Sequence, residues 1–96
     1  MQRDVVIQRL RALMPLLRAH GVRSLTLFGS TARDQMRPDS DVDVVVDLGP
    51  EPTYDALFAV HALLTQRLEC SVDALTPGGI PPRLRAHIDR EGILVA

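Results

Sequence analysis

Ninety-six residues, 46% of them apolar and 24% charged, suit one compact domain over residues 1–96 and are too rich in Val, Leu and Ile for a disordered chain. The net charge of −1 gives no global electrostatic grip on nucleic acid, so no direct nucleic-acid partner is expected. All 11 basic residues are Arg, and the lack of Lys removes both the phosphate-binding lysine of P-loop proteins and Schiff-base chemistry.

No apolar run approaches the roughly 20 residues that span a bilayer, and the Arg and Asp scattered through "MQRDVVIQRLRALM" are unlike a signal peptide. Cys70 stands alone, which rules out an internal disulfide and makes a reducing cytoplasm the simplest setting. In chain order, Val6, Ile7, Leu10, Leu13, Met14 and Leu17 recur at helical spacing. They predict an amphipathic helix from about Asp4 to His20, closed by Gly21 and kinked or divided by Pro15. "SLTLF" (Ser24 to Phe28) reads as a buried strand, and "STARDQM" as a short helix capped by Ser30. After the turn residues "RPDS", "DVDVVVDL" is a second strand.

A loop, "GPEPT", leads to a second long helix from about Tyr54 to Leu68, its inner face holding Leu57, Val60, Leu64 and Leu68. Tyr54 is expected to pack, Asp47 to be exposed at a strand end, and Cys70 to be a small buried hydrophobe. "SVDAL" is a third strand, Pro81 and Pro82 open a last helix closed by Gly92, and "ILVA" adds a short final strand. Helices alternating with strands predict an α/β (α+β) fold, a small sheet covered by helices.

The informative stretch is "LFGSTARDQMRPDSDVDVVVDL". In a strand, residues two apart share a face, whereas in a helix they diverge by about 200°. An extended "DVDVVV" therefore projects Asp41 and Asp43 side by side, with Val42, Val44 and Val46 opposite. Two adjacent carboxylates resist joint ionisation, and a divalent cation that bridges both resolves the conflict better than Arg does. Magnesium suits the pattern, since it takes a couple of carboxylates, several waters and substrate phosphate oxygens. Gly29 permits a sharp turn, and Ser30 offers a hydroxyl and helix-start amides to phosphate. Asp73, isolated among apolar neighbours in "SVDAL", joins the pair around a two-metal centre if its strand lies beside the second. Arg33 either reaches the triphosphate or stays at the surface. Taken alone, Gly29–Ser30 is a plain strand–helix turn and Asp73 a surface carboxylate, so the reading rests on their combination. His20, His61 and His87 lack metal-ligand spacing.

The arrangement "GS", spacer, "DSDVDVVV", then "VDAL" resembles the minimal nucleotidyltransferase (MNT) family of the DNA polymerase β-like superfamily, over about Ser24 to Leu75. The resemblance implies a nucleotidyltransferase fold with a small mixed sheet flanked by helices, and magnesium-dependent transfer of a nucleoside monophosphate from ATP. Carried across, Gly29 and Ser30 hold phosphate, Asp41 and Asp43 bind metal, and Asp73 binds metal and helps deprotonate the acceptor. The family reads Ala-Arg-Gly after the Gly-Ser turn. Here the run is "TARD", placing the Asp34 carboxylate either near the triphosphate or toward solvent.

Larger members carry an acceptor-binding domain, for which this chain leaves little room. Members of this size are similar to antitoxins that bind a HEPN-domain ribonuclease toxin and transfer AMP to one of its tyrosines. The resemblance thus implies a HEPN toxin partner. Two alternatives are a free-standing enzyme acting on a small molecule such as an aminoglycoside, as a homo-oligomer, and an inactive partner-binding antitoxin.

Overall fold

The computed structural model describes residues 2–34 and 41–96. Helix α1 (Arg3–Ala19) buries Val6, Leu10, Leu13, Met14 and Leu17 along one stripe. Pro15 does not divide it: the ring lies on the exposed side, where the carbonyl it leaves without a helical partner can meet water. The helix ends as Gly21 takes φ +94° and Val22 N–H donates back to Leu17 O at 3.0 Å, the closing geometry that needs a glycine.

Strand β1 (Ser24–Phe28) runs straight into α2 (Gly29–Ala32), a single turn whose cap position is Phe28. Ser30 is thus inside the turn and does not cap it, because Gly29 already bends the chain with φ +74° one residue earlier. Arg33 and Asp34, expected to continue this helix, instead form a turn, and residues 35–40, with the end of the expected helix and the "RPDS" turn, lie outside the described residues. Strand β2 (Val42–Asp47) is followed by α3 (Tyr54–Leu68), where Thr53 Oγ1 accepts from Ala56 N–H at 3.1 Å as the cap. Strand β3 (Val72–Leu75), a 3-10 turn (Pro77–Gly79), α4 (Pro82–Glu91) and the two-residue β4 (Ile93–Leu94) complete the described chain.

The sheet is mixed, in the order β3-β2-β1-β4. Strand β1 pairs antiparallel with both β2 and β4, while β2 and β3 are parallel. Alternation along the strands sorts side chains into two layers. Leu25, Leu27, Val42, Val44, Val46 and Val72 face α1 and α3 and form the main core. On the opposite face Phe28 and Val45 pack with Ile88 of α4 into a smaller cluster. That second face is only partly roofed, and the carboxylates emerge there. Among the described residues no helix is long and apolar enough to cross a membrane.

Candidate active site

The β2–β3 register decides the geometry. Asp43 lies directly opposite Asp73 in the parallel ladder, and Phe28, the residue before Gly29, lies opposite Asp43 on the other side. Gly29, Ser30, Arg33, Asp43 and Asp73 therefore line one cleft of about 520 Å³, roofed by Leu84, His87 and Glu91 of α4. Asp41, exposed just before β2, is outside that lining, but its charge is felt at Asp43. Partial burial, then the Asp73 carboxylate, then that of Asp41, push Asp43 up to about 6, with the Arg33 guanidinium pulling the other way. Gly29 is required twice over. Beside its positive φ, a Cβ there would collide with the Asp43 carboxylate oxygen, so the turn and the carboxylate touch.

A donor set of carboxylate oxygens in mutual repulsion fits a hard divalent cation. Among the described residues no three His, Cys, Asp or Glu side chains close around a point as a ready-made cage. Magnesium does not need one, because waters and substrate phosphates fill most of its positions. The basic component is Arg33, whose Nη1 donates to Glu91 Oε2 at 3.1 Å across the cleft.

Comparison with known proteins agrees with this architecture. The family described as polymerase beta nucleotidyltransferase matches residues 12–96. The chain belongs to that family. A Methanocaldococcus jannaschii protein, provisionally named a protein adenylyltransferase, is 34% identical over 83 residues, covering 86% of this chain and 89% of its own. A solved structure provisionally named a minimal nucleotidyltransferase is 32% identical, with a TM-score of 0.83 over 97% of this chain and 95% of that one. The complex of a tri-AMPylated Shewanella oneidensis HEPN toxin with an MNT antitoxin contains a chain that matches with a TM-score of 0.70. That match covers 99% of this chain and 72% of the other at 18% identity, a likeness of fold.

This nucleotidyltransferase departs from its family pattern at Asp34, and the structure places that residue away from the cleft. Asp34 adopts φ +58°, the region glycine favours and Asp tolerates. Although exposed, its Oδ1 accepts the Arg3 N–H at 3.1 Å, at the start of α1, where Gln2 supplies no side-chain cap. The carboxylate thus serves a helix terminus, where negative charge is favourable.

Other residues also differ from expectation. Tyr54 is 82% exposed and does not pack into the core. Asp47 is half-buried, its Oδ1 accepting Gly49 N–H at 2.8 Å. Cys70 packs against the main core as a small hydrophobe, as expected, though only half-buried. Sequence reasoning missed the α4 wall. Leu84, His87 and Glu91 follow i, i+3, i+7 spacing and so share a helical face, but nothing local said which surface that face would meet.

Proposed function

We propose that the chain is a cytoplasmic antitoxin-type adenylyltransferase that binds a HEPN-domain ribonuclease toxin and transfers AMP from ATP to a hydroxyl of that protein. The observation that carries this reading is the in-register Asp43–Asp73 pair against the Gly29 turn, within one cleft. Asp41, Asp43 and Asp73 would hold one or two magnesium ions, which supply positive charge to the triphosphate and acidify the acceptor hydroxyl. Ser30 and the α2 amides receive phosphate oxygens, and Arg33 swings from Glu91 to the triphosphate tail. The acceptor oxygen bonds to the α-phosphorus, the bond from that phosphorus to pyrophosphate breaks, and the Asp73 carboxylate takes the hydroxyl proton. The protein acceptor is supported by the names of the similar proteins, which include an adenylyltransferase and a partner of an AMP-carrying HEPN toxin. Against an inactive antitoxin stands the Asp34 carboxylate, the departure from the family pattern, which accepts a hydrogen bond at the start of α1.

The test combines the chain, magnesium, ATP radiolabelled at the α-phosphate and the HEPN-domain protein of its pair. Label is expected on the HEPN protein and lost in Asp41→Asn and Asp43→Asn. Label persisting in both variants refutes the assignment of those carboxylates. Tight complex formation without label from the unaltered chain refutes transfer.

A further inference from the structure

Surface helices normally turn a polar face to water. Helix α1 does so with Arg9, Arg11 and Arg18, but α3 presents Tyr54 at 82% and Phe58 at 69% exposure, one turn apart. The chain has only three aromatic residues, so most of its aromatic surface lies on this one helix. Exposed aromatics gathered on one face mark a binding surface more often than chance.

Their position gives the surface a direction. Tyr54, Leu57, Phe58 and His61 form one wall of a groove of about 350 Å³ whose other wall is Val72, Asp73 and Ala74 of β3. Asp73 also lines the nucleotide cleft, so the two hollows adjoin at that residue. At the far end Tyr54 and Leu57 continue into a hollow of about 250 Å³ against Pro52 and Thr76. Among the described strands β3 is an edge, but the outward Val72 carbonyl already accepts the His61 Nε2–H at 2.9 Å. That contact disfavours strand addition and leaves a track for side chains. Asp73 lines the track, Asp55 follows Tyr54 in sequence at its α3 wall, and among the described residues no Arg lines the groove or the hollow at its end.

We propose that this track is the acceptor subsite. It seats a segment of the target protein, apolar where it meets Tyr54 and Phe58 and flanked by Arg or Lys to match the acidic rim. The segment delivers its hydroxyl to Asp73 from the side opposite the triphosphate. The attacking oxygen gains the α-phosphorus, pyrophosphate departs toward the Gly29 turn, and the proton passes to Asp73. The inference rests on the adenylyltransferase reading and adds where the acceptor sits.

The experiment measures affinity for the HEPN-domain protein and the KM values for that protein and for ATP. It compares the unaltered chain, a Tyr54→Ser/Phe58→Ser double variant, and Leu16→Ser, which removes a 44%-exposed apolar side chain from α1. The double variant is expected to weaken binding and raise the KM for the acceptor by about tenfold or more. The KM for ATP should stay constant, and Leu16→Ser should change neither. Equal binding and equal KM in the double variant overturn the subsite. A matching rise in the KM for ATP also overturns it, since the aromatics would then serve the nucleotide. An unaltered chain that self-associates through these aromatics, with partner binding unaffected by their loss, assigns the track to a second copy and overturns it too. If the unaltered chain binds without labelling, the transfer reading fails while the affinities still decide the track. If it neither binds nor labels, both fall.

Discussion

Asp43→Asn should make the protein more stable at neutral pH while abolishing its activity. Asp43 titrates near 6 instead of at its ordinary 3.8, so the folded state holds this proton more tightly than the unfolded chain does. The stability this proton lends is complete below about 4 and declines as pH rises through about 6. Above that, an ionised Asp43 costs a constant amount. The gap from 3.8 to about 6 corresponds to about 3 kcal/mol as a ceiling. Asp43 is only half-buried, and solvent screening reduces the expected gain to about 1 kcal/mol. For a domain this small that is a rise in Tm of roughly 4–8 °C. The assay is urea and thermal unfolding followed by circular dichroism, at pH 7.5 and at pH 4.5, without divalent cations. The variant should exceed the unaltered chain at the higher pH, and the advantage should shrink at the lower. Adding magnesium should stabilise the unaltered chain and leave the variant behind. A variant less stable than the parent at pH 7.5 would refute the idea that its neighbours place this carboxylate in conflict.

Three further substitutions test other contacts. Gly29→Ala must place a Cβ at φ +74° and against the Asp43 carboxylate, so it should lose about 1–3 kcal/mol and nucleotide affinity together; chemical denaturation and ATP titration read both, and unchanged values would contradict the close approach. Glu91→Gln releases Arg33 from an ion pair half-open to water, worth at most about 1 kcal/mol. Calorimetry should find magnesium–ATP bound up to about fivefold more tightly, and weaker binding would show that Glu91 assists the nucleotide. Asp34→Gly exchanges a helix-terminus hydrogen bond for relief of a positive φ, so stability should change by less than about 1 kcal/mol. Transfer should be unaltered, and a tenfold gain would mean that this carboxylate opposes the triphosphate after all.

The strands and long helices were legible because local pattern and tertiary role coincide in them. Alternation in "DVDVVV" placed three valines in the core and the acidic pair on the other face, as found for Val42, Val44, Val46 and Asp43. The bounds of β1 and α3 were readable from Gly29 and from the "GPEPT" loop. What stayed illegible depends on contacts between distant segments. Asp34 meets the start of α1, 31 residues away. Glu91 faces Arg33 across 58 residues. The exposure of Tyr54 was hidden because an aromatic at a helix start reads as packed, whereas Phe58 already lay off the inner face set by Leu57, Val60, Leu64 and Leu68.

The parallel pairing of Asp43 with Asp73 has a consequence for how this catalyst comes into being. Side chains in a strand swap sides with every residue, so sliding β3 one step along β2 would drive Asp73 into the oily layer beneath α3 and turn Val72 or Ala74 out in its place. Burying an unpaired charge there is prohibitive. Misaligned forms are therefore purged by the same energetics that make the enzyme fold, and the two carboxylates meet either in working order or not at all.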